Sequence, residues 1–266
     1  HMHSNQEIFV TQIQGALLED LVAITREAGA LIMEIYRSDF EVRGKQDASP
    51  VTEADEKAEH LILERLGALK SQFPVVSEEA AAAGYVPDMG QRFWLVDPLD
   101  GTKEFINRNG EFTVNIALIE NGIPVMGVVF APALDRMYAG AIGLGAWLEV
   151  QGKRQAIECR SIPEDGLDVV ASRSHGDADA LDQFLNGRLV RSRKSAGSSL
   201  KICLVAEGEA DLYPRLGRTM EWDIAAGHAV LVAAGGQIHA LNGDVLSYGK
   251  RDLSNPHFYA CSADYR

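Results

Sequence analysis

The chain has 266 residues, 46% of them hydrophobic, which is enough apolar material for one large domain or two medium ones with a sizeable core. Lys+Arg 25 against Asp+Glu 38 gives a formal net charge of −13, so the mean field repels nucleic acid and anionic membrane surfaces, and an anionic substrate needs locally positive charge. The apolar segments at 114–130 and 224–238 are interrupted by Asn, Glu, Pro, His or Gly and are not expected to span a bilayer.

The opening HMHSNQ (1–6) has no apolar signal core and reads as a tag remnant. Leu17, Leu18, Leu21, Val22, Ala28, Leu31, Ile32, Ile35 and Tyr36 recur at helical intervals, which predicts a long amphipathic helix over about 7–37. After the loop RGKQDASP, Thr52 with Asp55 three residues on resembles a capping box opening a second helix, in which Leu61, Leu63, Leu66 and Leu69 supply apolar contacts. Between 93 and 150 the runs FWLV, FTVNIALI, IPVMGVVFA, RMYAG and GAWLEV, with a turn at Asn121-Gly122, predict a mostly antiparallel sheet. From about 165, strand and helix patterns alternate through LDVVAS, ADALDQFL, RLVRS, SSLKICLVAEG, ADLYPR and WDIAAGHAVLVAAGG. The composition shift around 150–165 divides the chain into an α+β part (7–160) and an α/β part (161–266). Cys159, Cys203 and Cys261 are odd in number and widely spaced, which favours free thiols in a reducing compartment.

The chemistry concentrates in WLVDPLDGTKEF (94–105), where an apolar run gives way to two carboxylates, Asp97 and Asp100, with a turn expected at Asp100-Gly101. Taken alone, such acids more often bond turn amides. Here they have company: Ser77-Glu78-Glu79 follows a short apolar run, Asp55 stands near a helix start, and Asp223 follows Trp222 at another. If four such carboxylates converge, protonation or a hard cation must relieve their repulsion, and magnesium is the natural choice. Bound cations also draw phosphate toward an acidic protein, so the predicted reaction is metal-assisted phosphoryl transfer to water. The phosphatase signature DxDGT, with a nucleophilic Asp, is one residue shorter than DPLDGT, so both acids read as metal ligands.

SEE (77–79), WLVDPLDGT (94–102) and WDIAAG (222–227) together resemble the lithium-sensitive, magnesium-dependent inositol monophosphatase superfamily. DGTKEF, SRSH (172–175), GSSLKICLVAEGEADLYPR (197–215) and EWDIAAGHAV (221–230) are similar to its bacterial 3′(2′),5′-bisphosphate nucleotidase branch. The resemblance covers nearly all of the chain and implies a layered αβαβα sandwich, an α/β fold like that of fructose-1,6-bisphosphatase, with the metals held between the two parts.

Position by position, it makes Glu78, Asp97 and the Leu99 carbonyl ligands of a first Mg2+, with Asp100 and Asp223 at a second ion. Asp55 lies near a third, weaker ion, with Lys45 and Asp47 on the preceding loop; its alternative role is the cap. Asp223 has the same alternative. The attacking water is oriented by Thr102 and Glu79, and metal coordination lowers its pKa. Phosphate lies against the Gly101 and Thr102 amides. For the remainder of a nucleotide the resemblance points to His175, Arg173, Ser198, Lys201 and Arg215, with His175 against the base and Lys103 screening the anion; otherwise these are surface charges, a loop histidine and, for Ser198, a helix N-cap.

The expected activity is hydrolysis of adenosine 3′,5′-bisphosphate to AMP and phosphate, extending to the 3′-phosphate of phosphoadenylyl sulfate in sulfate assimilation. An inositol monophosphatase, or a silent nucleotide- or metal-binding protein, is the alternative. The expected setting is cytoplasmic, with contact at the cytoplasmic face of the inner membrane and the choice of monomer or homodimer left open.

Overall fold

The structure is a computed structural model that describes residues 2–38, 49–173 and 178–266, with side chains described from residue 14 onward. Helix α1 (Met2–Tyr36) leads to α2 (Pro50–Gly67), β1 (Val75–Ser77) and α3 (Glu78–Ala82). Next come β2 (Arg92–Asp100), α4 (Thr102–Ile106), β3 (Thr113–Glu120), β4 (Ile123–Ala131), β5 (Arg136–Ala141), β6 (Gly145–Val150) and β7 (Lys153–Ile157). The rest comprises β8 (Leu167–Ala171), α5 (Ala178–Leu185), β9 (Val190–Ser195), α6 (Leu200–Ala206), β10 (Leu212–Arg215), β11 (Thr219–Met220) and α7 (Glu221–Ala233), then β12 (Gln237–Ala240), β13 (Ser254–Asn255) and β14 (Phe258–Cys261).

Strands β1 to β7 form one sheet in sequence order, antiparallel throughout except for the parallel β1/β2 pair. The Asn121-Gly122 turn behaves as predicted, since both residues have positive φ (51° and 79°), the twist a two-residue hairpin needs. A second, mixed sheet runs β12-β14-β10-β8-β9.

Side-chain alternation builds the layers. In β2, Trp94 and Val96 face a core shared with α1 and α2, through Leu21, Ala28, Ile32, Ile62 and Leu66, while Phe93 and Leu95 face the opposite core with α6 and α7. A third cluster, including Val169, Leu212 and Leu185, places α5 on the outer face of the second sheet. The order is therefore helices, sheet, helices, sheet, helix: the αβαβα sandwich that the sequence implied.

Helix α7 is buried nearly all round, as its uniformly apolar sequence requires, and it lies very close to the large sheet. A Cβ on Gly127 of β4 would fall 2.5 Å from the Ala226 carbonyl oxygen, and one on Gly140 of β5 would fall 3.0 Å from the Val230 Cα. Glycine at these positions lets the helix carry its N-terminal end down to the carboxyl end of β2.

Two expectations change. The first helix begins at Met2 rather than near residue 7. The second begins one turn earlier than the Thr52/Asp55 box: Ser49 is its N-cap, accepting the Thr52 amide at 3.2 Å, and Pro50 occupies the first turn, where its missing N–H costs nothing. Asp55 thus stands inside the helix and does not cap it. Among the described residues no helix is long and apolar enough to cross a membrane, and all three cysteines are unpaired.

Candidate active site

The parallel β1/β2 pair starts the site. Val75 pairs with Trp94, Val76 with Leu95 and Ser77 with Val96, so the next residues, Glu78 and Asp97, emerge side by side where the β1/β2 pairing ends. Strand β2 runs past Asp97 to Asp100 through a bulge, and the chain turns at Asp100-Gly101, where the sequence reading expected it. Asp97 pairs with Asn115 and Asp100 with Thr113, so a three-residue step on β2 lies opposite a two-residue step on β3. In a regular strand a three-residue step would point Asp97 and Asp100 to opposite faces. The bulge turns both toward α6 and α7. Pro98 is tolerated because it lies beyond the last β1 pairing. Gly101 then takes φ +91°, a left-handed conformation that opens α4 with Thr102 as its first residue.

Helix α7 delivers Asp223, whose Oδ2 accepts the Met220 amide at 2.8 Å. Met220 and not Asp223 is the N-cap of α7, so the alternative N-cap role falls away; Asp223 bonds back to the N-cap amide from the third helical position and commits one oxygen only. One carboxylate oxygen each from Glu78, Asp97 and Asp223 lies within 4.8 Å of the others, and the same holds for Asp55, Glu78 and Glu79. Glu78 belongs to both groups and joins them. Asp55 is 6% exposed and Asp97 1%.

Acids so buried and so close to one another resist ionisation. Burial, and then the charges of Glu78, Glu79 and Glu59, push Asp55 up to about 8. Asp100 is also pushed up to about 8, by burial and then by Asp223, with the Lys201 charge and the Ser199 amide opposing. Asp97 is driven well above the carboxylate range by burial, then by Glu78 and Asp100. Glu78, Glu79 and Asp223 are raised as well, each chiefly by burial.

Asp55 Oδ1 and Asp97 Oδ2 are buried without a hydrogen-bond partner among the described residues. Orphaned carboxylate oxygens within such a group are costly as they stand and are suited to a hard cation that prefers oxygen ligands. The donor set therefore fits a divalent metal.

Beside the acids opens a cleft of about 240 Å³ lined by Asp100, Gly101, Thr102, Lys103, Ser198, Lys201, Arg215 and Asp223, among others. It unites most of the expected substrate-binding residues. Lys201 is 4% exposed, with its ammonium 5.4 Å from the Tyr213 ring centroid, and it makes no ion pair among the described residues. Arg215 donates to the Arg218 carbonyl at 3.3 Å and leaves a buried Nε without a partner among the described residues. Leu99 is buried, its amide donating to Asp97 Oδ1 at 3.2 Å.

Three expectations are corrected. Arg173 makes a two-pronged ion pair with Glu111, at 2.5 and 2.6 Å, and so spends its guanidinium on a carboxylate rather than facing the cleft freely. Ser198 is not an N-cap, because the capping position is Ser199 and Ser198 has φ +56°. Glu79 groups with Asp55, and no hydrogen bond joins it to Thr102 among the described residues. His175, Lys45 and Asp47 lie outside the described residues.

Sequence reasoning missed Glu59, which accepts the Glu79 amide at 3.0 Å and lies one helical turn beyond Asp55, a spacing that marks a shared face. It also missed Asn115, Thr113 and Ser199 behind Asp100. A lone Asn in the apolar run FTVNIALI was the available signal.

Known proteins resemble the chain in sequence and fold. Residues 15–264 match the inositol monophosphatase family. A Salmonella typhimurium protein named 3′(2′),5′-bisphosphate nucleotidase CysQ is 52% identical over 91% of this chain and 98% of its own, and a protein of that name from Escherichia coli K12 is 49% identical over the same shares. The crystal structure of CysQ from Bacteroides thetaiotaomicron superposes with a TM-score of 0.81 at 39% identity, covering 94% of this chain and 98% of that one. An inositol monophosphatase from Anabaena gives 0.74 at 26% identity, over 94% and 92%. The chain belongs to the inositol monophosphatase family.

Proposed function

We propose that the protein is a 3′(2′),5′-bisphosphate nucleotidase that hydrolyses the 3′-phosphate of adenosine 3′,5′-bisphosphate to AMP and phosphate with Mg2+, and that also removes the 3′-phosphate of phosphoadenylyl sulfate. The observation that carries this reading is one cleft in which an acidic cluster meets three cationic residues, Lys103, Lys201 and Arg215, on a chain whose close relatives bear the nucleotidase name.

Glu78, Asp97, Asp223, Asp100 and the Leu99 carbonyl would hold two ions, with Asp55 near a third, weaker one. Bound there, Mg2+ would neutralise charge on the phosphoryl oxygens and make water a stronger nucleophile at neutral pH. The chain's own residues do the rest. Glu79, raised by burial and by Glu78, would accept a proton, and Thr102 would supply a hydroxyl at the start of α4. The Gly101 and Thr102 amides face the phosphoryl group as fixed donors. Lys201, buried over Tyr213, and Arg215 answer the second phosphate, a group that an inositol monophosphate lacks. Ser198 and His175 complete the nucleotide site. The α+β part (7–160) and the α/β part (161–266) meet at this cleft, and the enzyme acts in the cytoplasm.

The test is phosphate release with Mg2+. Adenosine 3′,5′-bisphosphate is expected to be turned over far better than inositol 1-phosphate. A reversed preference makes the protein an inositol monophosphatase, and tight binding of the bisphosphate without turnover makes it a binding protein.

A further inference from the structure

The segment Gly197, Ser198, Ser199 connects β9 to α6 and is fastened on both sides. The Gly197 amide donates to Glu111 Oε2 at 2.6 Å, and a Cβ on Gly197 would fall 2.4 Å from Glu104 Cγ. Ser198 takes φ +56°, a left-handed conformation that costs a non-glycine residue about 1 kcal/mol or more and persists only where the surroundings over-determine it.

Ser199 supplies that determination. Its Oγ donates to Asn115 Oδ1 at 2.7 Å, so its only hydroxyl hydrogen is used, and Thr113 Oγ1, 2.8 Å away, must donate to Ser199 Oγ. Asn115 Nδ2 in turn donates to Thr113 Oγ1 at 3.0 Å, which closes a ring of three hydrogen bonds running in one direction. All three residues are buried, Thr113 and Asn115 completely. The ring leaves the Ser199 amide free, and that amide donates to Asp100 Oδ2 at 2.8 Å. Thr113 and Asn115 are also the β3 partners of Asp100 and Asp97, so one pair of residues sets the bulge from below and Ser199 from above.

We propose that Ser199 is a positioning residue for the reaction, holding the Asp100 carboxylate through its backbone amide while Thr113 and Asn115 hold Ser199. One Asp100 oxygen is committed to that amide, which fixes the direction of the other. Ser199 lines the cleft with its hydroxyl turned to Asn115 and its amide to Asp100, and it acts through Asp100. This proposal rests on the reading of Asp100 as a metal ligand.

The experiment titrates Mg2+ alone into metal-free protein by calorimetry and measures unfolding with and without Mg2+. Ser199→Ala and Thr113→Val are each expected to raise the Mg2+ Kd about tenfold or more, the usual consequence of losing a partner behind a ligand. Thr113→Ser keeps the hydroxyl and is expected to bind as wild type does. Asp100→Asn is expected to weaken binding at least as much as Ser199→Ala. If Asp100→Asn loses Mg2+ affinity but Ser199→Ala and Thr113→Val keep it, with Tm falling equally with and without Mg2+, the ring merely supports the fold and the proposal fails. If Asp100→Asn itself binds normally, the ligand reading fails and takes the proposal with it. Should Ser199→Ala not fold, Thr113→Val, which removes one hydroxyl and nearly preserves shape, decides alone.

Discussion

Replacing Asp55 with Asn is expected to make the metal-free protein more stable. Asp55 is 6% exposed, faces Glu78, Glu79 and Glu59, and is pushed up to about 8, chiefly by burial. In the unfolded chain the same carboxyl titrates near its ordinary value of 3.8. The folded value is the higher one, so between the two the native state keeps a proton that the unfolded state has released. Native stability therefore falls as pH rises through this window, by about 1.4 kcal/mol per pH unit. The span of about 3 units below neutrality gives a cost on the order of 4 kcal/mol at pH 7. Asparagine has the same shape, loses no proton and offers an amide to neighbouring carboxylates. Urea unfolding in EDTA is expected to show the two proteins alike near pH 4 and the variant ahead by a few kcal/mol at pH 7 to 8, the gap shrinking or reversing when Mg2+ is added. A variant no more stable than wild type at pH 8 in EDTA, with an unchanged pH slope, refutes the electrostatic account of the cluster.

Asp97→Asn and Asp223→Asn are each expected to abolish turnover by weakening metal binding; near-normal rates across a Mg2+ titration contradict the ligand set. Lys201→Ala is expected to raise KM for the bisphosphate more than it lowers kcat, the pattern of a lost ground-state contact, which steady-state kinetics resolves. Gly127→Ala drives a Cβ to 2.5 Å from the Ala226 carbonyl oxygen, a backbone atom that cannot step aside, so α7 must lift. Overpacking of this kind costs about 1–3 kcal/mol and displaces Asp223, so Tm and Mg2+ affinity are expected to fall together. A drop in Tm alone separates the helix position from the site.

Much of this was legible from the chain itself. Amphipathic period, strand alternation and turn chemistry are local, and they give α1, the antiparallel sheet and the later βα rhythm. The acids at 78, 97, 100 and 223 stood out because each ends or begins an element. What local pattern misread depends on neighbours distant in sequence. Asp55 fits a capping box by spacing, yet Pro50 and Ser49 start the helix earlier and leave Asp55 buried in it. Arg173 has the charge to meet a phosphate, but Glu111 already holds it.

The sequence alone supplies the carboxylates, Glu78, Asp97, Asp100 and Asp223, and a pattern that sets them near the ends of predicted elements. Only the tertiary structure decides that they converge. Parallel pairing of β1 with β2 sets Glu78 beside Asp97, a one-residue bulge turns Asp100 to the same face, and Gly127 admits α7 close enough to add Asp223. Each of these is a register or a contact distance between segments far apart in the chain. Side-chain periodicity does not encode them by itself, because a two-residue shift of register leaves the in-and-out pattern unchanged.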